Sequence, residues 1–252
     1  TVTGGVDMSW VSLDDEVTGN PIGMGSNLTF SGSGDLDNGW TVAYTVATTN
    51  SDVYSNTNVT VTVPSLGDIH ISGGVSGTGI DRIDDVTPTV WEEAYGAGLG
   101  AGIQTVKGGS GGGSIEYIPN MLPDGATVNL SYTPDANTAA GADKGSGGYS
   151  AGIEKSGWDM SVTLTDAITG MAGLTLQGGV GSIEKDTNSA NVTGDRDEST
   201  IAVTYAAGGF TVGYQWSEQD LGTSSGVQEY QNEGYGITFN VNDDLSIGYN
   251  HY

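Results

Sequence analysis

The sequence predicts an all-β fold in which antiparallel strands form a transmembrane β-barrel. Apolar and small polar residues alternate strictly, for example over residues 158–165, 210–216 and 59–63, and this period gives a strand one apolar face and one polar face. The pattern recurs along nearly the whole chain without a helical stretch. The polar face consists of Thr, Ser, Gly and Asn, while aromatic residues lie near the strand ends. These features are typical of a barrel that is apolar toward lipid and polar toward a water-filled lumen.

Composition agrees with this fold and excludes some functions. The chain has 252 residues, of which 36% are hydrophobic and 43 are glycine, a low apolar content for a packed core. No apolar run approaches the length of about 18 residues that a transmembrane helix needs. Thirty-one acidic residues against six basic ones give a net charge of −25, which argues against a nucleic-acid partner because phosphate binding needs clustered Lys and Arg. The charge indicates either solvation in a saline habitat or attraction of cations, and the two are compatible.

The alternation predicts a single barrel domain over residues 1–252. Its strands are expected at residues 2–10, 28–36, 40–47, 58–63, 68–75, 112–118, 126–133, 158–166, 174–184, 199–206, 210–217, 230–241 and 245–252. The long connections between them, which alternate with short turns, are 11–25, 48–57, 76–111, 134–157, 185–198 and 218–229. This alternation collects all short turns at one rim, as in bacterial outer-membrane barrels.

The number of predicted strands is odd, whereas bacterial single-chain barrels have an even number. Tyr252 is also out of phase with the apolar face of the final strand, which Leu245, Ile247 and Tyr249 form. We therefore expect this chain to lack the last few strands of the complete barrel.

Aromatic residues near the strand ends predict two belts at the membrane interfaces. Those beside short turns are Trp40, Tyr205, Phe210 and Phe239, and those near the long loops are Trp10, Tyr132, Trp158 and Trp216. Aromatic rings favour the membrane interface. The alternative is the general preference of aromatic residues for strands.

The longest connection, 76–111, carries the densest chemistry. Its charged residues in the first half are Asp81, Arg82, Asp84, Asp85, Glu92 and Glu93. The run 84–88, Asp-Asp-Val-Thr-Pro, resembles the acidic D-D-x-T-P motif of general trimeric porins of Gram-negative outer membranes, especially those of α-proteobacteria. Segments 28–34, 37–39 and 66–69 are also similar to that family, so the resemblance extends over essentially the whole chain.

The resemblance implies a sixteen-stranded barrel, of which about thirteen strands are present here, assembled as homotrimers. It implies passive diffusion of small hydrophilic solutes and ions through the outer membrane, past a constriction formed by the inward-folded loop 76–111. The six charged loop residues named above would line that constriction. In the family, Arg and Lys on the early barrel wall oppose the acidic loop, whereas residues 1–81 of this chain contain neither. The wall positions nearest the constriction are Thr60, Thr62, His70 and Ser72, so we expect a preference for cations.

Other interpretations remain open at this stage. A secreted acidic β-sandwich, acting as an adhesin or surface-layer protein, would show similar alternation, and the acidic run would then be a solvated surface loop. The acidic clusters 14–16 and 195–198 are candidate Ca²⁺ ligands, although solvated external loops are the favoured interpretation. No Cys is present and neither His has a persuasive Ser or Asp context, so we predict no enzyme and no cofactor.

Overall fold

The computed structural model describes residues 1–10, 22–49, 52–73, 77–90, 106–109, 113–137 and 152–252. These contain thirteen strands in one antiparallel sheet, each paired with its neighbours in chain order. The strands are β1 (Val2–Trp10), β2 (Ile22–Asp35), β3 (Thr41–Thr49), β4 (Asp52–Val63), β5 (Gly67–Ser72), β6 (Ser114–Pro119), β7 (Ala126–Thr133), β8 (Glu154–Leu164), β9 (Leu174–Lys185), β10 (Arg196–Ala207), β11 (Phe210–Asp220), β12 (Glu229–Asn242) and β13 (Leu245–His251). A 3-10 helix, Gly79–Ile83, follows β5, and a short helix α1, Asp166–Thr169, joins β8 to β9. Every predicted strand is therefore confirmed.

The two faces of the sheet have opposite polarity, and burial shows which one points outward. On β7, Leu130 and Tyr132 are 43% and 52% exposed, whereas Ser131 and Thr133 between and beside them are buried. Among the described residues, only seven apolar side chains are buried, against sixteen polar or charged ones. A soluble protein buries mainly apolar residues. This sheet shows the reverse, with its polar face buried and its apolar face exposed. We call its exposed apolar face the outer face and the opposite one the inner face.

The predicted alternation of short and long connections fails at one place. Residues 48–57 were expected to form a long loop, but β3 continues to Thr49, β4 begins at Asp52, and these two residues pair. The prediction was wrong because strand pairing needs only backbone N–H and C=O groups. Residues 52–57 lack clear apolar alternation and yet continue the ladder with β3.

The starts of β2, β8 and β10 also differ from the prediction. β2 begins at Ile22 and β8 at Glu154, inside the predicted connections 11–25 and 134–157. Residues 185–198 were assigned to a connection, whereas β10 already begins at Arg196 and pairs there with Ile183. Because the side chains at 196–199 are charged or polar on both faces, this segment has no apolar alternation that would predict a strand.

The described strands form one sheet. A β-sandwich needs two sheets packed face to face, so the alternative architecture is not supported. In the part of the chain that the structure describes, no helix is long and apolar enough to span a membrane.

Candidate functional site

The described residues of the predicted constriction loop, 77–90 and 106–109, lie against the inner face of the sheet, and we call them the inner loop. The 3-10 helix Gly79–Ile83 contacts β7, β8, β9 and β10, and its Ile80 and Ile83 are buried. Glycine in the sheet leaves room for this approach. A Cβ at Gly179 of β9 would lie 2.7 Å from Ile80 Cγ1, and one at Gly213 of β11 would lie 2.6 Å from Pro88 Cδ.

A carboxylate from β6 holds the start of the inner loop. Glu116, which is fully buried, accepts a hydrogen bond from the Gly79 backbone N–H at 2.7 Å. It also receives the Arg82 guanidinium through Nε at 2.8 Å and Nη2 at 2.5 Å. The side-chain hydrogen bonding between Arg82 and Glu116, together with the negative charge of Glu116, favours the protonated guanidinium and raises the pKa of Arg82. The hydroxyl of Thr78, in the loop, lies 2.7 Å from the hydroxyl of Ser114, which is also on β6.

Two further carboxylates, from β8 and β10, hold backbone groups of the loop. Asp159 accepts from the Ile80 N–H at 2.7 Å through Oδ1 and from the Gly109 N–H at 3.2 Å through Oδ2. Glu198 Oε2 accepts from the backbone N–H of Lys107 at 3.0 Å and of Gly108 at 2.6 Å. Asp159 therefore joins the beginning and the end of the inner loop.

Two longer side chains complete the attachment. Arg196 donates to the Gly108 carbonyl at 2.8 Å and forms ion pairs with Glu198 and, at 2.9 Å, with Glu154. Gln215 of β11 donates to the Ile83 and Asp84 carbonyls at 2.9 Å and accepts from the Val86 N–H at 2.9 Å. The loop is thus bound mainly through its backbone.

Two glycines allow the backbone to come this close to Asp159. Gly79 and Gly108 have φ of +57° and +54°, the left-handed region that other residues adopt at a cost. A Cβ at Gly79 would lie 1.5 Å from Asp159 Oδ1, and one at Gly108 would lie 2.6 Å from Oδ2. Any side chain at either position would displace the carboxylate.

The structure brings three of the predicted constriction acids together. Asp81 and Asp84 are half-buried, Asp85 is exposed, and the structure does not describe Glu92 and Glu93. Burial, followed by the negative charges of Asp85 and Asp81, raises the pKa of Asp84 to about 8. Asp84 is therefore mostly protonated at neutral pH. Arg82, also expected here, has a side chain 34% exposed and paired with Glu116.

The four predicted wall residues lie on neighbouring strands. Thr60 of β4 contacts His70 Nδ1 at 2.9 Å, and Thr62 donates to Asp68 at 2.7 Å. His70 lies directly opposite Glu116 in the β5–β6 ladder, and Ser72 is buried opposite Ser114. Their role in permeation stays a prediction.

Six of the eight predicted interface aromatics lie within three residues of a strand end, whereas Trp158 and Trp216 lie one residue from the midpoints of β8 and β11, so their predicted position near strand ends was wrong. Of all eight, six are clearly exposed: Trp10, Trp40, Tyr132, Trp158, Tyr205 and Phe210. Trp216 and Phe239 are half-buried. Tyr132 and Trp158 are paired in the β7–β8 ladder, while Phe210 and Phe239 stack with centroids 4.2 Å apart. Contact with the membrane interface stays a prediction.

Of the two acidic clusters proposed for Ca²⁺, 14–16 lies outside the described residues. In the cluster 195–198, Arg196 and Glu198 are buried on the inner face, so the expected solvated external loop is wrong for these two. No group of three His, Asp or Glu suited to a metal ion occurs among the residues described. Ca²⁺ binding stays a prediction.

Sequence reasoning missed the residues that hold the loop: Glu116, Asp159, Arg196, Glu198 and Gln215. A signal for three of them was present in the alternation. Asp159 lies between Trp158 and Met160, Glu116 between Ile115 and Tyr117, and Gln215 between Tyr214 and Trp216. A charged or amide side chain at an inward position of a strand marks a group with a buried partner.

Comparisons with known proteins show the family and the fold of the chain. A family model described as Gram-negative porin matches residues 1–252. The chain is similar to a porin structure refined at 1.8 Å resolution, with 13% identity, a TM-score of 0.57, and coverage of 98% of this chain and 81% of that one. It is also similar to a double mutant of the Rh. blastica porin, with 16% identity over 99% of this chain and 93% of that one, at a TM-score of 0.44. Comparison with curated protein sequences found no match.

Proposed function

Because this chain belongs to the Gram-negative porin family, whose members form channels in the outer membrane, we propose that it passes small hydrophilic solutes and ions by passive diffusion with a preference for cations. The burial of polar side chains and the exposure of apolar ones support this function. An exposed apolar outer face suits lipid, and a polar inner face suits water. The proposal includes homotrimers and a narrowing of the channel by loop 76–111.

One observation carries the preference for cations: the inner loop presents acids whose neighbouring base is already neutralised. Asp81 and Asp85 lie within five residues of each other, and the Arg82 guanidinium between them pairs with Glu116. Asp84 is mostly neutral at pH 7 and adds its charge as the pH rises. A low-dielectric wall focuses the field of such charges at a narrow point, which raises the local concentration of the opposite ion. In this proposal Glu92 and Glu93 add to the same field.

The charges of the barrel wall support the same direction. Arg196, the buried base on the inner face of β10, forms ion pairs with both Glu154 and Glu198. No Lys or Arg occurs in residues 1–81. The wall formed by β1 to β7 therefore offers the loop acids no Lys or Arg, and the other described bases, Lys107, Lys155 and Lys185, lie in the inner loop and at the ends of β8 and β9 beside the long connections.

The test is the reversal potential of the native protein in a planar bilayer across a KCl gradient. We expect cation selectivity, with conductance appearing in steps of three for a trimer. Replacing both Asp84 and Asp85 by Asn should lower the ratio of cation to anion permeability, because it removes the negative charge of Asp85 and the ionised fraction of Asp84 at the narrow point. The matched control is Asp124→Asn, which removes a carboxylate from an exposed turn and should leave the ratio unchanged.

The outcomes separate the parts of the proposal. Anion selectivity of the wild type would contradict the charge argument while keeping the channel. Well-folded protein without conductance would contradict the channel itself. Single conductance steps would contradict the trimer.

A further inference from the structure

We propose that Glu116, Asp159 and Glu198 are positioning residues that together fix the inner loop inside the lumen and hold it there in one conformation. We call these three the acid row. Its effect on ion flow rests on the proposed function, whereas its effect on the loop does not.

The three carboxylates lie in one line across the sheet. In the ladders, Glu116 pairs with Ser131, Ser131 with Asp159, Asp159 with Gly181, and Gly181 with Glu198. Directly paired residues point to the same face, so every second strand from β6 to β10 presents an acid at the same height. The residues between them, Ser131 and Gly181, are small and leave the carboxylates free to face the loop.

Each carboxylate of the acid row accepts hydrogen bonds from the loop backbone. The donors are the N–H groups of Gly79 to Glu116, of Ile80 and Gly109 to Asp159, and of Lys107 and Gly108 to Glu198. Hydrogen bonds with an ionised acceptor are roughly twice as strong as neutral ones. All three acids are at most 4% exposed, so water does not compete effectively for them.

The bonds from the acid row span the loop in sequence. Asp159 alone links two positions separated by 29 residues, Ile80 and Gly109. Glu116 holds the first segment and Glu198 the last. Both described parts of the inner loop, the first of which contains Asp84 and Asp85, are thereby attached to the same wall. Loss of one carboxylate should therefore loosen the loop without removing a strand.

The decisive variant is Asp159→Asn. Both carboxylate oxygens accept a backbone N–H, and an amide offers only one oxygen, so either orientation places an NH₂ group against an N–H donor. The shape of the side chain is kept. The matched control is Asp68→Asn on β5, which makes the same charge change at a carboxylate bonded to Thr62.

The first readout is hydrogen–deuterium exchange of the detergent-solubilised protein, followed by mass spectrometry. In Asp159→Asn, we expect peptides containing Ile80 and Gly109 to exchange faster by about tenfold or more, because a lost charged hydrogen bond opens the loop. Exchange in β7 to β9 should stay at the wild-type rate, and Asp68→Asn should match the wild type throughout.

The second readout is single-channel current with a covalent rescue. Asp159→Asn should show frequent brief closures and open-channel noise that the wild type and Asp68→Asn lack. The chain has no cysteine, and the Thr78 and Ser114 hydroxyls are 2.7 Å apart. Adding Thr78→Cys and Ser114→Cys to Asp159→Asn should therefore allow a single disulfide. Its oxidation should remove the brief closures and the open-channel noise, and its reduction should bring them back.

Unchanged exchange at Ile80 and Gly109 in Asp159→Asn would overturn the proposal, whether or not the wild type conducts. Noise that the oxidised disulfide fails to remove would overturn it too, because the defect would then lie in the wall and not in the position of the loop. A wild-type protein without conductance would refute the proposed function, and hydrogen exchange would still decide the role of the acid row.

Discussion

At the scale of single residues, neighbouring acids in the inner loop have different roles. Asp85 is exposed, whereas burial and the charges of Asp85 and Asp81 raise the pKa of Asp84 to about 8. Asp84 is thus largely neutral at pH 7, and the negative charge of the described loop rests mainly on the other two acids. The selectivity of the channel should therefore depend on pH.

The ratio of cation to anion permeability should rise as the pH increases from about 6 to about 10, with its midpoint near the raised pKa. The physical reason is that Asp84 gains a negative charge in this window. Asp84→Asn should flatten the rise, and reversal potentials in a KCl gradient at each pH would check it. A rise of equal size in Asp84→Asn would contradict the assignment.

The same pKa shift also affects the stability of the fold. Whereas cation selectivity should rise with pH, the stability that Asp84 contributes should fall. Since the pKa of Asp84 is raised above its ordinary value of 3.8, ionisation is easier in the unfolded chain. This residue therefore contributes less stability as the pH rises from about 4 to about 8 and adds no further change above that.

At the scale of elements, the inner loop and the strands are matched through the backbone. The loop donates N–H groups, and β6, β8 and β10 supply the carboxylates. Glycine at 79 and 108 lets the loop backbone approach Asp159, and both residues have positive φ. The position of the loop should thus depend on residues that carry no side chain.

Gly108→Ala should displace the loop and destabilise the protein by about 1–2 kcal/mol, because the alanine would be held in the left-handed region and its Cβ would meet the Asp159 carboxylate. The matched control is Gly34→Ala in β2, where a Cβ would meet open space. Urea unfolding in detergent and single-channel conductance would measure both effects. Equal stability of the two variants would show that the loop does not need glycine at position 108.

At the scale of the whole molecule, the outer face of the sheet replaces a conventional apolar core. Val203 lies near the middle of β10, 37% exposed, between Ile201 and Tyr205, which are also exposed. In a soluble protein a charge would be tolerated at such a position. In a porin the same position faces lipid.

Val203→Arg should lower the free energy of unfolding in a bilayer by about 2–4 kcal/mol, since arginine on the lipid face near the midplane is costly. Thr163→Arg is the matched control, because Thr163 lies on the inner face and accepts a hydrogen bond from Gln177. It should change selectivity and leave folding nearly unaffected. Reversible folding into lipid vesicles, followed by tryptophan fluorescence, would compare the two, and an equal loss in both would contradict the assignment of faces.

By itself, the sequence determined the strands, their order and which face of the sheet is apolar and exposed. The physical reason is local: a side-chain period of two defines a strand and its faces within a few residues, as 158–165 illustrates. The acidic motif at 84–88 likewise marked the loop without any distance information. The predicted connection 48–57 was wrong, and the starts of β2, β8 and β10 were placed too late, because ladder pairing depends on the backbone and extends beyond the apolar pattern.

Only the tertiary structure decided how the loop is held. Glu116, Asp159 and Glu198 lie on three different strands, and their alignment follows from the register of five strands from β6 to β10. A register is a relation between distant segments, and no local pattern in the chain specifies it. The sequence could not predict the ionisation of Asp84 either, because its pKa depends on burial and on the carboxylates around it. Asp84 lies beside Gln215 of β11 and Asn232 of β12, which are far from it in sequence.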